Sequence, residues 1–236
     1  MPSQWEGAEV AAVERAPVQT ATAAANPWVV LAVVCTGVLM ITVDTTIVNI
    51  AVPSIISGLQ ATLDQVLWAI NAYLLVFAVV LVPAGRLGDL YGQRNMFALG
   101  LFCFTAASAA CGFAQGPTQL IAARAVQGAG AGLLMPQALG LITNAAPEER
   151  RGFALGLFGG VTALAAIVGP VLGGYIITTW SWHWIFDINV PIGLTALAGS
   201  ILLLPGARSG IRRSIDLVGM LLVGGGLLEA RPKTHR

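Results

Sequence analysis

Long apolar runs, separated by short polar or glycine-rich segments, make up most of this sequence. A helix needs about 20 apolar residues to cross the hydrocarbon core of a bilayer. Six runs reach or approach that length: Trp28–Ile50, Val66–Ala84, Met96–Ala114, Leu120–Thr143, Phe153–Ile177 and Ile188–Leu204. Because only helices and closed barrels satisfy their backbone polar groups in lipid, these runs predict an all-α membrane protein with a six-helix transmembrane bundle over residues 28–204.

A seventh, shorter run begins near Leu217 and stops at Leu228. At a helical rise of 1.5 Å per residue it would reach about 18 Å, against a hydrocarbon core of about 30 Å. We therefore expect an incomplete seventh span at residues 215–228, between a cytoplasmic linker at 205–214 and an atypical tail at 229–236. Truncation of a longer natural chain would explain the short run, and a re-entrant or surface segment is the alternative explanation.

The first 27 residues contain no apolar run. Glu6, Glu9 and Glu14 accompany a single cation, Arg15, whereas a signal peptide starts with basic residues that are followed at once by an apolar stretch. Ala, Thr, Gln and Pro dominate the rest of the segment. This composition predicts a disordered cytoplasmic tail at residues 1–27.

The placement of arginine predicts the orientation of the bundle, because cytoplasmic loops are enriched in Lys and Arg. Seven arginines follow the even-numbered runs: Arg86, Arg94, Arg150, Arg151, Arg208, Arg212 and Arg213. The turns that follow the odd-numbered runs contain no Lys or Arg: Pro53–Gln65, Gln115–Gln119 and Thr178–Asp187. We therefore predict a multi-pass protein of the plasma membrane with its N-terminus in the cytoplasm.

Composition agrees with a membrane protein and narrows the function classes. Hydrophobic residues make up 56% of the chain and charged residues 10%, whereas a soluble domain carries about 25% charged residues. The three cysteines, Cys35, Cys103 and Cys111, lie in apolar runs without metal-ligand spacing, and we interpret them as packing residues. The sequence has no catalytic cluster and no phosphate loop with lysine, so we expect no enzyme, cofactor, metal site or nucleic-acid partner.

Glycines at four-residue spacing predict close packing between helices. Three such pairs occur in the fourth and fifth runs: Gly128 and Gly132, Gly156 and Gly160, and Gly169 and Gly173. In lipid the hydrophobic effect no longer drives helix association, and small residues allow the backbones to approach closely. We expect a tightly packed bundle.

One carboxylate, Asp44, stands inside the first run, in the stretch "MITVDTTIVNIAVP". Aspartate is costly in hydrocarbon, and an ionisable residue within a span marks an ion path or a proton relay by default. In general, a carboxylate in a low dielectric holds a proton more tightly than one in water. Asp44 is therefore a candidate proton carrier, and polar packing against a neighbouring helix is the alternative.

Arg124 is the cation that lies inside a run. Helical rise places Asp44 about 24 Å, and Arg124 roughly 21 Å, from the cytoplasmic side, so the two lie at similar depth. We predict that they share a polar cavity and couple to a proton there; snorkelling of Arg124 to the interface is the alternative. Further polar candidates for this cavity are Thr45, Asn49 and Gln127.

The turn "GRLGDLYGQRN" follows the second run. Gly85, Gly88 and Gly92 permit a tight reversal of the chain. Asp89 can face the N-terminus of a neighbouring helix, where negative charge is favoured. We predict a gating loop formed by Gly85, Asp89, Gly92 and Arg94, and an ordinary charged cytoplasmic turn is the alternative.

Together these motifs resemble those of the major facilitator superfamily. "GRLGDLYGQRN" resembles the loop between its second and third helices, and "RAVQGAGAG" resembles its fourth-helix motif, in which an arginine, here Arg124, is implicated in proton transfer. "AAIVGPVLGGY" is similar to the fifth-helix motif of antiporters, with Gly169, Pro170, Gly173 and Gly174 in place. "VDTTIVNIAVP", "WSWHWIFDINVPIG" and "IDLVGMLL" are similar to segments of the fourteen-helix drug:proton antiporters.

The resemblance implies the N-terminal half of a proton-coupled antiporter that exports amphipathic drugs or related small molecules. In such transporters the substrate binds between two halves of the fold, and the second half would lie beyond this chain. The implied partners are a small-molecule substrate, protons, the lipid bilayer and a missing C-terminal half. An inactive truncated or frameshifted fragment is the alternative.

Overall fold

The computed structural model describes residues 26–205, and all its long elements are helices. They are α1 (Pro27–Leu59), α2 (Leu63–Tyr91), α3 (Gln93–Gly112), α4 (Pro117–Ala145), a 3₁₀ turn (Glu148–Arg150), α5 (Arg151–Thr179), α6 (Trp184–Asp187) and α7 (Asn189–Leu203). Within the described range, six helical segments are long and apolar enough to cross a membrane, the sixth being α6 and α7 together. The predicted all-α six-span fold is confirmed.

Several predicted segments lie wholly or almost wholly outside the described residues. They are the N-terminal tail before residue 26 and, after residue 205, the linker, the incomplete seventh span and the atypical tail. The predictions for these segments therefore stay predictions.

The first helix is longer than the sequence predicts. Pro53 was expected to open a turn, but it lies inside α1, which continues to Leu59. A proline removes one backbone donor, and membrane helices tolerate this because neighbouring groups satisfy the freed carbonyl. α1 ends where Gln60 adopts a left-handed conformation with φ 48° and ψ 39°. α2 then starts at a capping box, in which the side chains of Thr62 and Gln65 each accept a backbone hydrogen bond from the other residue.

α1 and α4 form the centre of the bundle. More than half of the residues in their apolar cores are buried, whereas fewer than a fifth are buried in α2 and α5. α2 packs on α4 as α5 packs on α1, and α3 lies against both α4 and α7. The second helix of each half, α2 or α5, thus packs on the first helix of the other half, α4 or α1. Two inverted three-helix repeats, α1–α3 and α4–α7, are expected to pack in this way.

Two of the three glycine pairs form helix contacts. A Cβ atom at Gly128 would lie 2.3 Å from the Tyr73 carbonyl oxygen, and one at Gly132 would lie 2.7 Å from the Phe77 carbonyl oxygen. α2 therefore runs directly against the glycine face of α4. Gly169 and Gly173 of α5 likewise lie directly against α1.

The third glycine pair contradicts the prediction of close packing. A Cβ atom at Gly156 or Gly160 would meet nothing within 4 Å, and both residues are exposed. Spacing alone could not distinguish them from the other pairs, because it does not determine which side of α5 meets another helix. Within the described chain, the face of α5 that carries these two glycines meets no other helix, whereas Phe153 on the same stretch packs against Trp28 of α1.

The buried apolar residues form two clusters, one toward each end of the bundle. One surrounds Phe97, Phe104 and Leu134, and the other surrounds Ile47 and Phe186. Along α1, α3 and α4, buried polar residues stand at the boundary between these clusters. The candidate site is built from them.

Candidate functional site

Asp44 and Arg124 form an ion pair at the centre of the bundle. Arg124 Nη1 lies 2.7 Å from Asp44 Oδ2, and the two side chains are 2% and 0% exposed respectively. α1 supplies the carboxylate and α4 the guanidinium, so the pair joins the two central helices. Removing both charges from water is costly, and such a pair persists only where further hydrogen bonds satisfy its remaining polar atoms.

Two amide side chains supply those bonds to the carboxylate. Gln127 Nε2 donates to Asp44 Oδ1 at 2.9 Å, while Gln127 Oε1 accepts from Arg124 Nη1 at 2.7 Å. Asn189 Nδ2, at the start of α7, also donates to Asp44 Oδ1 at 2.9 Å. Asp44 thus accepts three hydrogen bonds, from residues on two different helices. Gln127 follows Arg124 by three positions, the spacing that places two side chains on one helix face.

Ser108 on α3 extends the cluster. Its hydroxyl accepts a hydrogen bond from Asn189 Nδ2 at 3.0 Å and donates to the Phe186 carbonyl oxygen at 2.9 Å. The residues joined in this way are called the polar cluster below: Asp44, Ser108, Arg124, Gln127 and Asn189. It connects α1, α3, α4 and the junction of α6 with α7.

Aromatic rings cover the guanidinium of Arg124. Its Cζ atom lies 4.2 Å from the ring centroid of Tyr73 on α2 and 5.8 Å from that of Phe186 on α6. A cation over an aromatic face is stabilised by the ring quadrupole, most strongly where water is excluded. Arg124 Nε is buried and has no hydrogen-bond partner among residues 26–205. Tyr73 therefore adds favourable electrostatics to a guanidinium that keeps one donor unpaired.

The three residues predicted to line the polar cavity, Gln127, Thr45 and Asn49, lie in different surroundings. Gln127 belongs to the polar cluster. Thr45 is half-buried and donates to the Ile41 carbonyl oxygen, with Tyr73 Oη 3.5 Å away. Asn49 is exposed and donates to the Thr45 carbonyl oxygen. Asn49 therefore lies outside the polar cluster around Asp44, and its place in a polar cavity stays a prediction.

Sequence reasoning missed Asn189, Ser108 and Tyr73. Their signal was present, because the depth estimate that paired Asp44 with Arg124 applies equally to neutral polar residues in the other spans. Asn189 lies five residues after Trp184, where the sixth span begins, or about 7.5 Å along it. Ser108 lies four residues before the end of α3. Neutral polar residues are common in membrane helices, however, and depth alone does not select among them.

The predicted gating loop is mostly helical, which corrects the expectation of a glycine turn. Gly85 and Asp89 lie in the last turns of α2, and the chain reverses at Gly92, which has φ 89°. Glycine tolerates this left-handed conformation because it has no Cβ. Arg94 lies in the first turn of α3, where its Nε donates to the Ser200 carbonyl oxygen at 3.1 Å and its Nη2 donates to that of Ile201.

The four residues of the antiporter motif lie on α5 and face different ways. Gly169 and Gly173 are buried against α1, where added Cβ atoms would meet the side chains of Thr46 and Ile47 at 1.9 and 2.6 Å. An added Cβ at Gly174 would meet nothing within 4 Å. Pro170 lies inside the helix and is half-buried.

Comparison with known proteins decides the family. The model of the Major Facilitator Superfamily matches residues 34–229. The chain belongs to the major facilitator superfamily. The resemblance read from the sequence motifs is thereby confirmed, and the family is one of multi-pass membrane transporters rather than enzymes. Within residues 26–205 no group of three or more His, Cys, Asp or Glu side chains could hold a metal ion.

Relatives in the superfamily are longer than this chain. It is 40% identical over 223 residues to the probable actinorhodin transporter of Streptomyces coelicolor, covering 91% of this chain and 39% of the relative. It is 38% identical over 203 residues to the tetracenomycin C resistance and export protein of Streptomyces glaucescens, covering 86% and 38% respectively. The chain thus spans about two fifths of the length of these curated relatives.

A solved structure supports the fold. The crystal structure of a peptide transporter, named POT, superposes with a TM-score of 0.69 at 16% sequence identity, covering 84% of this chain and 44% of that chain. At this identity the likeness establishes a shared fold and no more.

Proposed function

We propose that this chain is the N-terminal six-span unit of a proton-coupled antiporter of the fourteen-helix drug:proton family. It would export amphipathic drugs or related small molecules across the plasma membrane, with its N-terminus in the cytoplasm. The observation that carries the proposal is the buried ion pair of Asp44 with Arg124. An ionisable pair this deep in a membrane bundle is expensive, and such residues usually mark ion or proton paths.

The chemistry of the pair suits proton exchange. An ionised Asp44 is held by Arg124 and two amides. When a proton binds, the carboxyl becomes neutral, and its hydrogen bonds lose the extra strength that charge gives them. Arg124 then loses its counter-charge but keeps the Tyr73 ring. Protonation thus weakens the link between the two central helices, which is a differential interaction that can favour another conformation.

Export of drugs is proposed from the relatives. The names of two of them specify transport of actinorhodin and resistance to, and export of, tetracenomycin C. The contact of Gly169 and Gly173 with α1, the helix that carries Asp44, supports a role for the antiporter motif in the same exchange. The bonds of Arg94 to the end of α7 support a gating role for the loop.

We propose that a second six-span unit completes the transporter. The lengths of the relatives and the low burial of α2 and α5 support this proposal. A substrate site between two halves is the usual arrangement in such transporters. The second candidate is a fragment without transport activity of its own. It is favoured by the same observation, that the chain spans about two fifths of the length of these relatives.

The experiment compares the chain with a completed form in everted membrane vesicles. The completed form continues after residue 204 into the second half of the tetracenomycin C relative, and ethidium is the probe. We expect the completed form to accumulate ethidium only under an acid-inside pH gradient, and Asp44→Asn to abolish this accumulation. Transport that survives without a pH gradient, or in Asp44→Asn, would contradict proton coupling. Transport by the chain alone would contradict the need for a second unit.

A further inference from the structure

The sixth span reaches the ion pair through one side chain, Asn189. This residue is 1% exposed, and both hydrogens of its amide nitrogen are used. One is donated to Asp44 Oδ1 at 2.9 Å and the other to Ser108 Oγ at 3.0 Å. The amide therefore has a fixed orientation, because no rotation about its side-chain bonds could preserve both contacts.

The local sequence explains why an amide lies at this depth. The backbone hydrogen-bond ladder of the span is interrupted between α6, which ends at Asp187, and α7, which begins at Asn189, while Ile188 between them keeps helical dihedral angles of φ −60° and ψ −27°. Pro191 lacks a backbone donor, so it cannot bond the carbonyl four residues earlier. At the interruption, the Phe186 carbonyl oxygen accepts a hydrogen bond from Ser108. The interruption and its support from α3 together place Asn189 against the carboxylate.

The contact is sensitive to the charge of Asp44. An amide that donates to a carboxylate forms a charge-assisted bond, roughly twice as strong as a bond between neutral groups. The same donor faces a weaker acceptor once the carboxyl is protonated. The contact between α1 and α7 at this point therefore depends on whether Asp44 holds a proton.

We infer that Asn189 is a positioning residue that stabilises the ionised form of Asp44 and makes the packing of the sixth span respond to protonation. This inference rests on the proposed role of Asp44 as a proton carrier. Gln127 already donates to the same oxygen from α4, and Arg124 pairs with the other oxygen. The titratable groups around them are Tyr73 of α2, over Arg124, and Cys111 of α3, beside Gln127. What Asn189 adds is a bond from a different helix, and through Ser108 a connection to α3.

The test follows the infrared carbonyl band of protonated Asp44 in the whole chain, reconstituted in lipid nanodiscs and titrated with acid. The band is assigned as the part of the spectrum that Asp44→Asn removes. We expect Asn189→Leu to move its pH midpoint upward by about one pH unit, since a hydrogen bond to the charged form is lost. Ser108→Ala should move it in the same direction by less, because it only loosens the amide.

Thr195→Val is the matched control. It lies on the same helix, is exposed, and donates only to the Ile192 carbonyl oxygen within its own helix. The midpoint should stay unchanged in this variant. An equal shift in the control would assign the effect to general loosening of α7 and would overturn the inference.

The remaining outcomes separate this inference from the proposed function. If the native chain shows an Asp44 band that titrates but Asn189→Leu and Ser108→Ala leave its midpoint unchanged, the inference fails and proton carriage stands. If no Asp44 band titrates in the native chain, both fail. If Asn189→Leu does not fold, as judged by size-exclusion chromatography, Ser108→Ala decides alone, and an unmoved midpoint overturns the inference.

Discussion

Arg94 Nε lies 3.1 Å from the carbonyl oxygen of Ser200, so the start of α3 is bonded to the last turn of α7. The final carbonyls of a helix have no partners within it, and a cation there also complements the negative end of the helix dipole. A residue that the sequence assigned to a gating loop is thus also a structural cap on the sixth span.

Replacing Arg94 with Met should therefore loosen the end of α7. Methionine keeps much of the apolar stem and removes every donor. We expect the free energy of unfolding to fall by about 1 kcal/mol, less than for a fully buried charged bond, because Arg94 is half-buried. Reversible denaturation in mixed micelles measures this. Arg86→Met is the control, since Arg86 is exposed near the end of α2, and an equal loss there would refute the capping role.

The ion pair should show strong coupling between its two members. Asp44→Asn leaves the Arg124 guanidinium buried without a counter-charge, and Arg124→Gln leaves the Asp44 carboxylate buried without one. Each variant should lower the free energy of unfolding by about 3 kcal/mol. The double variant contains no unpaired charge, so its loss should be clearly smaller than the sum of the two. A double-mutant cycle in mixed micelles measures the difference. Additive losses would mean that the pair contributes no coupling energy.

Two glycine substitutions should differ although both sit in GxxxG pairs. Gly128→Ala forces a methyl group to within 2.3 Å of the Tyr73 carbonyl oxygen, and backbone cannot yield easily, so we expect a loss of about 2 kcal/mol. Gly156→Ala meets open space and gains helix propensity, so it should leave the bundle unchanged or slightly more stable. Thermal unfolding of the chain in detergent compares them. Equal destabilisation would contradict the packing of α2 on α4.

The ring of Tyr73 should matter more than its hydroxyl. Tyr73→Phe keeps the face over Arg124 and loses only a contact of 3.5 Å to Thr45. Tyr73→Leu keeps an apolar side chain but loses the quadrupole, and should cost about 1 to 2 kcal/mol more than Tyr73→Phe. The same denaturation assay measures both variants. If Phe and Leu are equivalent at this position, the interaction is packing without an electrostatic part.

The sequence by itself determined the six spans found in residues 26–205 and the two charged members of the site. Hydrocarbon accepts long apolar runs and excludes charge, so the six runs and the exceptions Asp44 and Arg124 are visible without coordinates. A fixed helical rise then converts position into depth, which places the two at one level of the bilayer. The motifs supplied the family.

Only the tertiary structure decided which polar residues surround the pair. The depth of a residue does not show which side of its helix it occupies. Asn49 follows Asp44 by five residues, which is a rotation of about 140° at 3.6 residues per turn, and it faces outward. Asn189 comes from a distant part of the chain and meets both Asp44 and Ser108 only because α7 packs against α1 and α3. Helix packing depends on many small contacts that must fit at the same time, and a local sequence pattern does not show how these contacts combine.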